Sequence, residues 1–426
     1  MSSQPSNRVI IIGGGLAGLA LAQGLKAADP PIPFHIFERD TSATYRAQGY
    51  RIRIWGDGAT ALKHLLPEHL WSAFEATCAR LTDGARKLDA LTNKVSEMPL
   101  PKGVIPSGTP YNADRTTLRS VLLAGLEDYI SFGKVFEGYE VDESSDGVVV
   151  RFTDGTVEKG RILVGADGVR SAVRRGFLPE LKPLDSEGRA VFGKTHLDDT
   201  EVLEKISNHL TAGGIIITSG EQGKQLKLFS EAIYFNRGLD AAAGFELPPD
   251  YIYWVLCLRA DIVTDDRLGE QQLLNLNSGE SAKLALDLTA DWTESVRGVF
   301  GKQNPDSTST LSFFICDPEN FKASWEAVRR ERAGEPVVLL GDSAHPMPPV
   351  GAVGANTAFQ EASDLFDTLV RVYGTSSAAE GSNELRDYEQ RLVDRALESI
   401  RKSTAGAGNF WGMRPLAELK PAVVWR

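Results

Sequence analysis

Three short apolar runs, Val9-Ile10-Ile11-Ile12, Ile162-Leu163-Val164 and Val337-Val338-Leu339-Leu340, each lead directly into glycine. Unbroken apolar runs of this length, bounded by turn residues, read as strands buried on both faces of a parallel sheet. After the first run the period lengthens, and residues 16–28 read as a helix. Pro30-Pro31-Ile32-Pro33 breaks it, and Phe34-His35-Ile36-Phe37 reads as a second strand, completing a βαβ unit. Residues 58–78 have helical spacing, with Ala61, Leu62, Leu65 and Leu66 on one face and Pro67 interrupting. Residues 115–129 repeat it with Leu118, Leu122 and Leu126. Residues 147–152 and 156–164 read as strands around an Asp154-Gly155 turn.

Between about 180 and 330 the texture changes. Strand-like runs at 190–193, 214–218, 226–229 and 251–259 are separated by turns rich in Gly, Asp, Asn and Pro. They predict a mostly antiparallel sheet in a lobe inserted into the first domain. Helical spacing returns at 281–300, 357–373 and 384 to about 403, with residues 376–382 a small polar loop. The expected fold class is α/β with an α+β second lobe: a Rossmann-like dinucleotide domain, an inserted antiparallel sheet and C-terminal helices. Residues 1–70, 106–180 and 331–375 fall to the dinucleotide domain. Residues 71–105 and 181–330 fall to the inserted, substrate-binding lobe, and 376–426 form a helical tail. No internal repeat is present.

Composition narrows the partners. The formal net charge of −11 disfavours nucleic acid and anionic membrane surfaces, both of which select basic faces. Cys78, Cys257 and Cys316 are too scattered for a disulfide framework or a CxxC metal pair, which points to a reduced, cytoplasmic setting. The segment 9–25 approaches the length of a membrane span, but its glycines and the following Lys26 fit a strand, a turn and a packed helix better. A small-molecule enzyme without a membrane span or a bound metal, monomeric or homodimeric, is the expectation.

The chemistry is concentrated where the apolar runs end. Gly13-x-Gly15-x-x-Gly18 follows a strand and opens a helix. Its first glycine permits the tight turn, its second lets backbone approach a pyrophosphate, and its third lets helix and sheet pack closely. Glu38, followed by Arg39, ends the second strand, where an acid accepts hydrogen bonds from ribose hydroxyls. This half of the pattern does not separate NAD from FAD. The second and third runs end in Asp167-Gly168 and Gly341-Asp342, at strand C-termini where ligands sit in open α/β sheets. After Asp342, the turn Gly354-Ala355-Asn356 leads to a helix with Ala358, Phe359, Ala362, Leu365, Phe366 and Leu369 on its apolar stripe. Thr357 and Gln360 have capping-box spacing. His345 reads as part of the turn, since no acid or serine motif accompanies it. Arg189 is a candidate catalytic contact to a phenolate or carbonyl, and Tyr253 and Trp254 read mainly as core.

Taken in order, the GxGxxG with Glu38, the Asp167-Gly168 motif and the Gly341-Asp342 motif resemble the three fingerprints of the group A, para-hydroxybenzoate-hydroxylase-like flavoprotein monooxygenases. The texture around Gln48-Gly49-Tyr50 and 351–359 is most similar to fungal salicylate-hydroxylase-like and secondary-metabolite members. The resemblance implies FAD, with NAD(P)H as co-substrate. Oxygen would add to the reduced flavin, and the resulting C4a-hydroperoxide would hydroxylate or epoxidise an aromatic or other electron-rich small molecule. It also implies roles: Glu38 at the adenosine ribose, Arg115 near the pyrophosphate and ribityl, Asp167 near the pyrophosphate and Asp342 at the ribityl. Gly354, Ala355 and Asn356 would contact the isoalloxazine, and Arg46 would approach its front face. One departure stands out: Ala352 occupies a place usually held by glycine. A same-fold oxidase, reductase or halogenase, or a flavin-binding protein without turnover, are the alternatives. The halogenase Trp-x-Trp-x-Ile-Pro signature does not occur.

Overall fold

A computed structural model describes residues 7–43, 50–82, 85–97, 108–142, 147–198, 204, 206–219, 226–238, 244–263, 273, 275–332 and 334–422. The three apolar runs lie side by side. A five-stranded parallel sheet has the order Val337–Leu339, Ile162–Gly165, Val9–Ile12, Phe34–Phe37, Ile130–Ser131. All residues of its three central strands are buried except His35, as expected for a parallel sheet covered on both faces. The helix Leu16–Ala27 packs on it, and its neighbour across the layer is the long helix Val353–Gly374.

The predicted helical stretch 58–78 is two helices, Gly56–Leu65 and Glu68–Thr77, parted at Leu66-Pro67. Proline at 67 forces the residue before it into extended backbone, so the first helix ends there. The stretch 115–129 is helical only over Arg115–Leu123. Gly125 (φ +72°) turns the chain, and Leu126 is buried beyond the helix rather than on its stripe. The expected strand 156–164 is also two strands. Val157–Gly160 joins a three-stranded antiparallel sheet, and at Arg161 the chain crosses into the parallel sheet as Ile162–Gly165.

The second sheet has seven strands in the order Ser309–Ile315, Leu184–His196, Tyr251–Arg259, Leu226–Ile233, Gly214–Ser219, Ala85–Asp89, Val95–Glu97. All its pairs are antiparallel except Gly214–Ser219 with Ala85–Asp89. Its faces are sorted by the two-residue period. Ile252, Trp254, Leu256 and Leu258 face a core under the helices Ser278–Leu288 and Glu294–Gly301. Tyr251, Tyr253, Val255 and Cys257 face the opposite way, with Ala190, Phe192 and Phe313. That second face is closed by Ala407 and Trp411 at the end of the helix Ala378–Trp411. This helix swallows the expected polar loop, because Ser377 caps it by accepting the Glu380 N–H. A helix at Pro318–Glu331, capped by Asp317, was not expected. No helix among the described residues is long and apolar enough to cross a membrane.

Candidate active site

The parallel order brings the sequence-distant motifs to one edge. Gly13, Glu38, Asp167 and Asp342 follow the C-terminal ends of four adjacent strands. The first turn is held by contact. A Cβ at Gly13 (φ +111°) would lie 2.3 Å from the Ala166 carbonyl oxygen, and one at Gly18 would lie 2.3 Å from the Gly13 oxygen. Gly15 differs: a Cβ there would meet nothing within 4 Å, so its face of the turn is open. Gly15 caps the helix without a side-chain acceptor, and the first-turn N–H groups lack intrahelical partners. They carry the partial positive end of the helix into that open space. Glu38 is buried and accepts the Gly14 N–H (2.7 Å) and the Asp40 N–H (2.9 Å). Two oxygens with about four acceptor directions leave it able to take a ribose hydroxyl as well. Arg39 is exposed beside it. Arg119 braces the turn by donating to the Gly14 oxygen (3.1 Å).

Ser171 caps the short helix Ala172–Phe177 by accepting the Arg174 N–H (2.8 Å), and Asp167 accepts the Ala172 N–H (2.7 Å) and the Val173 N–H (3.2 Å) through Oδ2. Its Oδ1 is buried with no partner. Burial raises the carboxyl pKa against these hydrogen bonds. An orphaned carboxylate oxygen at a strand end is a group waiting for a donor.

Asp342 stands on a turn built from beneath. Glu361, fully buried, accepts the Gly341 N–H (2.8 Å) and bonds His345 Nε2 (2.6 Å). The Ser343 hydroxyl donates to the Gly165 and Leu340 carbonyl oxygens, and Arg174 donates to the backbone carbonyl oxygens of Asp342 (3.1 Å) and Ser343 (2.8 Å). The Asp342 side chain reaches solvent but is crowded by protein. Desolvation raises its pKa, opposed by the charges of His345, Arg174 and Arg115. Burial alone would lower the His345 pKa, but the Glu361 carboxylate overrides it and raises it. His345 is thus scaffold, fully enclosed.

The helix after this turn begins earlier than expected, at Val353. Its N-cap is Ala352 in the left-handed region (φ +53°). Gly354, Ala355 and Asn356 are therefore its first turn. Thr357 and Gln360 are not a capping box, since they bond the Val353 and Asn356 oxygens inside the helix. The Asn356 side chain is fully engaged. It accepts the Trp55 N–H (3.0 Å) and donates to the Arg53 (3.0 Å) and Ala352 (2.8 Å) oxygens. Any contact it offers a flavin is through backbone.

Arg115 stacks over the Tyr50 ring (5.5 Å), and its charge reaches Asp342, so it belongs to the cleft. Arg46 lies outside the described residues. Arg189 does not belong to the cleft, a correction to its expected catalytic place. It is 1% exposed and forked onto Asp185 (2.8 Å to each oxygen), on a sheet strand where its side chain alternates away from Ala190 and Phe192. An arginine one position along would have faced the opposite core.

Sequence reasoning missed the tie between lobes. The antiparallel ribbon of Arg51–Ile54 and Tyr111–Asp114 turns Arg51, Arg53, Asn112 and Asp114 toward the seven-stranded sheet. Glu231, 1% exposed, receives Arg51, Arg53 (2.6 Å), Asn112 (3.1 Å) and Thr82 (3.2 Å). Asp114 receives Lys194 (2.6 Å) and the Tyr251 hydroxyl (2.9 Å). The alternation Arg51-Ile52-Arg53-Ile54 was the available signal. Glu361 and Arg174 had none, because Glu361 meets the Gly341 N–H and the His345 ring 20 and 16 residues away, and Arg174 meets backbone oxygens 168 and 169 residues away.

The open cradle at Gly15, the acid of Glu38, the orphaned Asp167 oxygen and the Asp342 turn suit an extended dinucleotide running across four strand ends. Among the described residues, no group of acids, histidines and cysteines forms a metal site. A family profile described as an FAD binding domain matches residues 315–402. A dual O-methyltransferase/FAD-dependent monooxygenase of Phaeosphaeria nodorum is 33% identical over 97% of this chain and 47% of its own length. One from Cercospora beticola is 32% identical over 98% and 48%. The chain spans about half the length of these curated relatives. An FAD-dependent monooxygenase of Penicillium herquei is 24% identical over 93% of this chain and 90% of its own. The fold is similar to that of a candidate FAD containing monooxygenase from Photorhabdus luminescens, with TM-score 0.73 and 25% identity over 95% of this chain and 98% of that one. It is also similar to Klebsiella pneumoniae HpxO complexed with FAD and uric acid, with TM-score 0.68 and 20% identity over 96% and 90%.

Proposed function

Since the chain belongs to the para-hydroxybenzoate-hydroxylase-like group of FAD-dependent monooxygenases, we propose that it oxygenates an aromatic or other electron-rich small molecule, using NAD(P)H and O2. The observation that carries this reading is the convergence of Gly13–Gly18, Glu38, Asp167 and Asp342 on one sheet edge. FAD bound there would supply the redox chemistry, with NAD(P)H as the two-electron donor and O2 as the source of one oxygen atom for the substrate and one for water. The protein's part is to bind, orient and exclude water. The N–H groups of the Leu16–Ala27 helix and Glu38 hold the adenosine end, and Arg115 and Asp342 hold the ribityl region. The N-terminal turn at Val353, Gly354 and Ala355 carries the positive end of the helix dipole and would stabilise negative charge on a flavin bound beside it.

The inserted lobe is the substrate side. The sheet face bearing Phe192, Tyr253 and Phe313 has Tyr50, Phe229 and Val350 half-buried around it, and Val350 belongs to the turn that leads into the Val353 helix. Such an apolar wall suits a flat ring and keeps water from the reacting centre. The fungal relatives in secondary metabolism support a substrate of that kind. Purified protein should be yellow and should release FAD on denaturation. NAD(P)H consumption under O2 should rise when an accepted aromatic is added. A colourless chain that takes up no FAD overturns the proposal.

A further inference from the structure

We propose that Asp114 is a positioning residue that joins the inserted lobe to Arg115, so that the lobe sets how Arg115 meets the flavin. This rests on the reading above, in which Arg115 lies at the ribityl region, and adds what holds it there. Asp114 sits at the boundary between the lobes and is 2% exposed. One carboxylate oxygen works along the chain. Oδ1 accepts the Thr116 N–H (2.9 Å) and the Thr117 N–H (3.2 Å), which caps the helix Arg115–Leu123. The other works across the lobes. Oδ2 accepts from Lys194 Nζ (2.6 Å) and from the Tyr251 hydroxyl (2.9 Å), both on the seven-stranded sheet. Four donors fill the acceptor capacity of the carboxylate. Lys194 also lies over the Tyr251 ring (4.2 Å), so the two donors brace each other. A buried carboxylate matched by one lysine keeps its place, because withdrawing the lysine strands a charge.

Arg115 is the first residue of the capped helix, and Tyr50 holds it from beside. The Arg115 backbone N–H donates to the Tyr50 oxygen (3.0 Å), and the guanidinium lies over the Tyr50 ring (5.5 Å). That ring in turn packs on Phe192 (5.3 Å). Phe192 and Lys194 are two residues apart on Leu184–His196, in unbroken register, and therefore on one face. One strand of the inserted lobe thus supports both neighbours of Arg115, the carboxylate before it and the ring beside it. One turn further on, Arg119 of the same helix donates to the Gly14 oxygen (3.1 Å) in the phosphate turn. The helix is held by the lobe at its start and by the cradle at its second turn.

A double-mutant cycle on FAD affinity, read by titration with flavin fluorescence, tests this. D114N keeps the cap, since an amide oxygen accepts the same N–H groups, but its NH2 cannot accept from Lys194 or Tyr251. K194M breaks the tie from the other side, and Y251F removes only one hydroxyl. R115M should weaken FAD binding by about ten- to hundredfold, as for one charged hydrogen bond. D114N and K194M should each weaken it by about tenfold, and K194R should restore most of the K194M loss. Because the tie acts through Arg115, neither change should move affinity by more than about twofold once R115M is present. Should D114N not fold, K194M and Y251F carry the same cycle, with the smaller loss expected from Y251F. Wild-type affinity in D114N and K194M, equal losses in both backgrounds, or a K194M loss that K194R leaves unmended overturns the proposal. Absence of FAD uptake by the wild type sinks the monooxygenase reading and this inference with it, whereas wild-type uptake with an additive cycle sinks the inference alone.

Discussion

Replacing Gly15 by alanine should separate cofactor binding from folding. Gly15 has extended backbone (φ −78°, ψ −179°), which any residue adopts, and a Cβ there meets no protein atom within 4 Å. The apo protein therefore accepts the methyl without strain. It gains about 0.4–1 kcal/mol from the reduced freedom of the unfolded chain. The open space the methyl enters is the one in which backbone N–H groups would meet the pyrophosphate. Losing one such bond to a charged oxygen costs about 1.5–3 kcal/mol, or roughly ten- to hundredfold in Kd for FAD. Gly13→Ala is the control with the opposite signature. Its Cβ would lie 2.3 Å from a backbone oxygen at φ +111°, so stability itself should fall, by about 1–3 kcal/mol or more. Urea unfolding of the apo protein and titration of FAD by flavin fluorescence read the two quantities. Wild-type FAD affinity in Gly15→Ala, or an apo stability loss matching that of Gly13→Ala, refutes the assignment of the cradle.

Other outcomes follow from the same geometry. Asp342→Ala should abolish FAD retention through gel filtration while the far-UV spectrum is unchanged; a fully flavinated variant counts against the ribityl assignment. Ala352→Gly should raise the urea midpoint. A left-handed alanine costs about 1–2 kcal/mol, and the added unfolded freedom of glycine returns only about 0.4–1 kcal/mol of that; a lowered midpoint contradicts it. Glu389 is held by burial at a pKa of about 7, against 4.5 unfolded, with Arg329 opposing the shift. The folded chain keeps a proton that the unfolded chain releases, so this residue lowers stability as pH rises from about 4.5 to about 7, with no further change above. Glu389→Gln should thus flatten that part of the stability–pH curve measured by urea; an unchanged slope refutes it.

Much of the frame was legible because it is local. An apolar run ending in glycine or acid announces a buried strand and its ligand-facing end, and Val9–Ile12, Ile162–Gly165 and Val337–Leu339 are such strands. What escaped was decided by contacts remote in sequence. The strand break at Arg161 separates a polar strand, Val157–Gly160, paired in the antiparallel sheet from an apolar one, Ile162–Gly165, paired in the parallel sheet, and which sheet each joins is set by partners remote in sequence. The helix start at Val353 depends on Ala352 accepting a left-handed conformation that alanine rarely adopts. Arg189 looked like a site residue because an isolated arginine at a lobe entry carries no sign of its partner. Asp185 lies four residues away, yet only the bulge between them folds it back onto the guanidinium. The Glu231 cluster joins residues about 180 positions apart, a distance no periodicity spans.

The most direct test of the account is the fate of isotopically labelled O2. With FAD bound, NAD(P)H present and an accepted aromatic substrate, the product's mass should rise by a single labelled oxygen, and each turnover should consume one NAD(P)H. If the label appears only in hydrogen peroxide or water while the aromatic is recovered unchanged across a broad panel of phenols and aryl carboxylates, the protein is an oxidase or reductase on this fold and the monooxygenase account is wrong.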